Sequence, residues 1–226
     1  MQLIDASDPA AVALVRAIRS GDVGFLAENA GLARVGVRDS EGMVRTSLHL
    51  ATDFPGKFPR GAEVVAALVA GGADVNARFA GAHAETPLHW AASCDDVAAL
   101  DALLDAGADI EAPGSVLGGG PPLKNAVGFR QWAAAGRLVE RGAAVDLEDA
   151  AALGMVERVG ELLVGAGQSE LGAALWFACH GGRGAVARVL VERGADVGWV
   201  APWDGSTPVD AAAGSEELVG WLRGRG

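Results

Sequence analysis

The chain has no tyrosine, and only 5 % of its 226 residues are aromatic. Its apolar set is dominated by alanine and leucine, and 33 glycines punctuate it. That palette suits short, closely packed helices with sharp turns and argues against a β-sandwich, whose strands draw on β-branched and aromatic residues. Cysteine is almost missing: Cys94 and Cys179 are the only two, so no disulfide framework is implied and a reducing, cytoplasmic setting fits. Positive charge is scarce as well, with 18 Lys and Arg against 29 Asp and Glu, a net charge of −11. A nucleic-acid duplex or an anionic membrane surface needs a basic footprint, so both are set aside as partners. The N-terminus carries Asp5 and Asp8 where a signal peptide would place its apolar core. No run approaches the ~18 apolar residues of a membrane span.

Reactive motifs are absent too. There is no C-x-x-C, H-E-x-x-H or EF-hand loop, no G-x-S-x-G elbow, and no glycine-rich loop followed by G-K-[ST]. The G-x-G-x-x-A string in "GGRGAVA" (181–187) follows a helical stretch instead of a strand, so its context is wrong for a dinucleotide. No metal site and no cofactor are expected.

What the chain does have is repetition. "TPLHWAASCDDVAALDALLDAGADIEA" (86–112) is echoed by "TSLHLATD" (46–53) with "GAEVVAALVAGGADVNA" (61–77), by "PPLKNAVGFRQWAAAGRLVERGAAV" (121–145), by "ALWFACHGGRGAVARVLVERGADV" (174–197) and by "STPVDAAAGSEELVGWLRGRG" (206–226). A degenerate copy lies at 147–167. Measured on the first leucine or valine of each unit (Leu48, Leu88, Leu123, Leu147, Leu175, Val209), the steps are 40, 35, 24, 28 and 34 residues. Within a unit, Thr-Pro opens a helix, because threonine caps and proline at the first helical position loses no needed donor. A second helix carries apolar residues at helical spacing, as in Val97, Leu100, Leu103 and Leu104. Glycines at 72, 107, 142 and 194 end these second helices. No unit buries its own apolar face, but a stack does.

Periods near 33 with T-P-L-H-x-A resemble the ankyrin-repeat family over nearly the whole chain. The resemblance implies an all-α solenoid of about seven helix–turn–helix units with short hairpin fingers: an N-terminal capping unit (1–45), internal repeats (46–205) degenerate at 147–167, and a C-terminal capping unit (206–226). Two irregularities stand out. "FPGKFPRG" (54–61) interrupts the second unit, and the 24-residue step leaves out one finger, where a bend or notch is expected.

The resemblance makes Thr46, His49, Thr86, Pro87, His89, Thr207 and Pro208 structural, with each histidine a linker between its helix start and the neighbouring repeat. Asp96 reads as a helix cap, and Trp132 and Trp221 as core. The place after T-P-L-H faces the concave groove in this family; here it holds Leu50, Trp90, Asn125, Asp149 and Phe177. A second groove place holds Ser93 and His180, and Trp199 and Trp203 sit on the last finger. The family's usual role implies recognition of a protein partner through these residues, and the −11 charge favours one with a basic patch. The rival expectation is an enzyme or small-molecule binder with a pocket near 145–150, where Asp149 and His180 would form an acid–base pair.

Overall fold

A computed structural model describes residues 1–212 and 214–225. The chain divides into two compact units, Met1–Ala143 and Ala144–Gly226. The division falls where the sequence omits a finger.

The first unit opens with strand β1 (Gln2–Asp5) and two helices, α1 (Pro9–Ser20) and α2 (Val23–Glu28). Asp8 caps α1 by accepting the Ala10 N–H, and Pro9 occupies the first helical turn. A 3-10 turn leads into β2 (Val35–Arg38) and β3 (Val44–Thr46), followed by α3 (Ser47–Ala51) and α4 (Gly61–Ala70). The helical reading of the sequence did not include these strands. β1 pairs parallel with β2, which pairs antiparallel with β3. Each is three or four residues long, too short for alternation to register, and β3 runs across the boundary drawn at residue 45. The unit continues with α5 (Pro87–Ser93), α6 (Val97–Asp105), α7 (Pro122–Gly128) and α8 (Trp132–Glu140).

The second unit contains α9 (Leu147–Leu153), α10 (Val156–Leu162), α11 (Gln168–His180), α12 (Gly184–Glu192), α13 (Pro208–Ala211) and α14 (Glu216–Arg223). Only six residues separate Glu140 from Leu147. Helix α11 starts six residues before the repeat register at Ala174, because no proline intervenes and the Glu170 carboxylate accepts the Gly167 N–H at its start.

Helices of five to nine residues are marginal alone in water, so stacking must hold them. Leu48, Leu88, Leu123 and Leu175, at the same place of successive motifs, are all fully buried. In the first unit α5 packs on α7 and α4 on α6; in the second α11 packs between α9 and α13. The ends of α4, α6, α8 and α12 pass through Gly72, Gly107, Gly142 and Gly194 at φ of 89°, 90°, 98° and 92°, a left-handed region that disfavours a side chain. Trp132 and Trp221, read as core, are only half-buried, and the Arg188 and Arg225 guanidiniums lie over the Trp221 ring. Among the described residues, no helix is long and apolar enough to cross a membrane.

The motif histidines work through both ring nitrogens. His49 Nδ1 lies 2.8 Å from the Thr46 hydroxyl, and Nε2 lies 3.1 Å from the Glu85 carbonyl. His89 Nδ1 accepts the Thr86 N–H at 3.1 Å and lies 2.9 Å from its hydroxyl, while Nε2 is 3.2 Å from the Gly120 carbonyl. A carbonyl only accepts, so Nε2 carries the proton in both rings. His89 Nδ1 accepts an N–H and is bare, which makes that imidazole neutral, and the low pKa of His49 keeps it neutral at pH 7. Burial pushes the His49 pKa down to about 4, against the opposing pull of the Glu85 carbonyl, and lowers that of His89.

This sets a pH dependence. The unfolded chain binds a proton at His49 near pH 6.5, whereas the folded chain resists it until about pH 4. The stabilisation is complete above pH 6.5 and is lost as pH falls towards 4, by about 3 kcal/mol for this one group at about 1.4 kcal/mol per unit. Urea unfolding at pH 7 and pH 4 measures it. The His49→Gln variant should lose distinctly less stability over the same interval; an equal loss would place the titration elsewhere.

Candidate functional site

In the first unit the site is built around Glu85, a side chain only 4 % exposed at the base of the finger before α5. Its carbonyl receives His49 Nε2 and the Phe79 N–H, which fixes the backbone. Its carboxylate is thereby turned toward α5 and α7. Oε2 accepts the Trp90 indole N–H at 2.9 Å, and Oε1 accepts the Val116 N–H at 3.1 Å and Asn125 Nδ2 at 2.6 Å. His83 Nδ1 sits 3.0 Å from Oε2, within ion-pair range but off the angle of a hydrogen bond. Asn125 Nδ2 also donates to Ser93 Oγ at 2.9 Å, and the Ser93 hydroxyl donates to the His89 carbonyl. A buried carboxylate is tolerated only when its acceptor positions are filled, and here they are.

Trp90, Ser93 and Asn125 therefore converge on one residue that the sequence reading missed. Glu85 stands just before the T-P-L-H motif, and nothing in its neighbours flags it. Trp90 packs edge-on to His49 at 4.9 Å and tilted to Phe79 at 5.2 Å, so it is a structural side chain as well as a wall of the site. Beside it opens a hollow of about 410 Å³, lined by Trp90, Ser93, Glu85 and His83 and rimmed by Asp53, Phe54, Val116 and Phe129. Leu50 is half-buried on α3.

In the second unit the aromatic candidates gather. Trp176 touches Phe177, His180 and Trp203 at ring distances of 5.1, 5.0 and 5.1 Å, and Trp203 touches Phe177 at 5.7 Å and Trp199 at 5.6 Å. Gly172 makes this possible: a Cβ there would stand 2.3 Å from the Trp199 ring. Trp176 is buried, and its indole N–H donates to Ser206 Oγ at 2.8 Å. Trp203 is 49 % exposed. Asp149 lies apart in function: it is buried and exchanges hydrogen bonds with Asp146 across the start of α9. His180 stacks flat on Trp176 at 15°.

The two thiols are poor nucleophiles. Burial, aided by Asp53 and Asp96, raises Cys94 to about 11, and burial raises Cys179 to about 12, so both stay protonated at neutral pH. Asp96 caps α6 by accepting the Ala99 N–H. Among the described residues, no group of three or more His, Cys, Asp or Glu side chains is placed to hold a metal ion.

Comparison with known proteins agrees with the geometry. The family model described as "Ankyrin repeat" matches residues 84–115, the unit that carries Glu85, His89 and Trp90. Among solved structures, the human ASB11 ankyrin repeat domain superposes with a TM-score of 0.59 at 22 % identity, covering 94 % of this chain and 97 % of that one. The chain has the ankyrin-repeat fold. A search of curated proteins finds no match. The ankyrin-repeat fold is generally a protein–protein interaction module. On it, residues 84–115 supply the hollow's tryptophan, carboxylate and serine together.

Glu85→Gln should be destabilising. The amide nitrogen must replace one acceptor oxygen and face either the Trp90 indole or Asn125, leaving a buried donor without a partner at a cost of about 2 kcal/mol. Urea unfolding checks the cost, and a shift of the Trp90 indole N–H resonance shows that the same network is affected. An unchanged midpoint would mean the carboxylate adds nothing to the fold.

Proposed function

We propose that the chain is a non-enzymatic ankyrin-repeat binding module, cytoplasmic, that recognises a protein partner through its concave, inner-helix and finger face. The single observation that carries this reading is the aromatic cluster of the second unit, capped by a half-exposed Trp203. Rings held rigid by one another lose little freedom on binding and offer large contact areas, which is why such residues serve as anchors. The −11 charge supports a partner with a basic patch and disfavours nucleic acid, whose phosphates would be repelled. Two facts weigh against catalysis: Asp149 is engaged as a helix cap, and both thiols are held protonated. The anchors proposed are therefore Phe177 and Trp203, since Trp90 is too deeply built into its own unit to be truncated cleanly.

The test is capture of the partner on the immobilised chain, with identification by mass spectrometry, followed by titration of variants. Trp203→Ala should weaken binding at least about tenfold while leaving the melting temperature unchanged, and Phe177→Ala should weaken it similarly. Asp101→Ala and Arg188→Ala, on the outer helices α6 and α12, should bind as the parent does. The reverse pattern would move recognition to the outer helices and end this reading.

A further inference from the structure

The inserted loop and the hollow beside it are two views of one construction. The loop is tied down: the Lys57 N–H donates to Asp96 Oδ2 at 2.6 Å, and Lys57 Nζ lies 3.5 Å from Asp95. Gly56 lies against the turn of the next repeat, where a Cβ would come within 2.6 Å of Cys94 Cβ. Even so, Phe54 is 81 % exposed. A fixed loop that holds a phenylalanine in water gains no stability from that ring. Phe129 and Val116, 44 % and 50 % exposed, line the same hollow, as does Trp90.

The hollow's described lining holds two carboxylates, Glu85 and Asp53, and one basic side chain, His83, whose Nδ1 lies 3.0 Å from Glu85 Oε2. Glu85 is saturated by its own donors, but Asp53 is not: Oδ1 accepts the Phe54 N–H, and among the described residues Asp53 joins no ion pair. No lysine or arginine appears among the hollow's described lining residues. The site thus combines aromatic walls, an unpaired carboxylate at the rim and a second carboxylate behind it.

We propose that this hollow receives an arginine side chain from an extended segment of the partner protein, its guanidinium on Asp53 and its stem and plane against Trp90, Phe54 and Phe129. A planar guanidinium both forks onto a carboxylate and lies over aromatic rings, which an ammonium does less well. About 410 Å³ of open space accommodates one long side chain with its adjoining backbone. An acidic side chain would meet two carboxylates and is rejected. This inference rests on the protein-binding reading above and names the partner chemistry for one of its surfaces.

The experiment is selection of displayed random heptapeptides on the full chain, followed by fluorescence polarisation with the most enriched peptide and its arginine-to-citrulline form. Enriched peptides should share an arginine beside an apolar residue, and citrulline should weaken binding at least tenfold. Asp53→Asn keeps the acceptor for the Phe54 N–H and should have the same effect, as should Phe54→Ala and Phe129→Ala. Thermal melts should be unchanged in all three. Peptides that lack arginine, or that bind these variants as they bind the parent, overturn the proposal. If such peptides are lost instead on Trp203→Ala, the binding module stands without this site. No enrichment at all counts against both.

Discussion

The fold depends on a repeated hand-off of one hydrogen bond. At the fourth place of the motif, His49 donates to the carbonyl of Glu85, His89 to the carbonyl of Gly120, and Trp176 to the hydroxyl of Ser206. Each acceptor belongs to the residue immediately before the next motif. A short inner helix is thereby tied to the start of its neighbour, and the fully buried leucine beside it is brought into register. The donor must be neutral and rigid: an imidazole held in its Nε2–H form by the preceding threonine serves, and an indole, which has no other form, serves equally. After α8 the chain divides into two compact units.

The same hand-off makes the site of the first unit. Because His49 and the Phe79 N–H hold the Glu85 carbonyl, its side chain is aimed between α5 and α7, where it gathers Trp90, Asn125 and the Val116 N–H. Asn125 passes the network to Ser93, which returns it to the His89 carbonyl. Three successive repeats are thus joined by neutral and charged groups that satisfy one another. Asn125 Oδ1 is left without a partner, yet the bonds that converge on Glu85 hold the walls of the hollow in place.

The helical repeats were legible because burial enforces periodicity. Leu48, Leu88, Leu123 and Leu175 recur where the core needs them, and the terminal glycines recur where the backbone turns left-handed. The three short strands were not legible, since three or four residues cannot establish alternation, and β1 finds its partner over thirty positions away. Glu85 was invisible for a related reason. Its importance comes from donors at 90, 116 and 125, which only the stacked fold assembles. The repeat alignment puts Asp149 and His180 at two different groove-facing places, but helix capping and ring stacking are local forces that such alignment does not weigh.

The insertion at 54–61 shows how a repeat fold acquires a specific site without disturbing its register. Two prolines prevent the segment from lengthening α3 or α4, so it must leave the stack as a loop. A free loop would cost conformational entropy whenever it had to order around a ligand. Here Asp96, which already caps α6, accepts the Lys57 N–H with its second oxygen, so one carboxylate both starts a helix and fixes the loop. The ordering cost is met in folding, not in binding, and Phe54 is held ready beside an unpaired Asp53. What the insertion then presents to solvent at this place is the Phe54 ring and the Asp53 carboxylate, whose Oδ1 accepts the Phe54 N–H while the group joins no ion pair among the described residues.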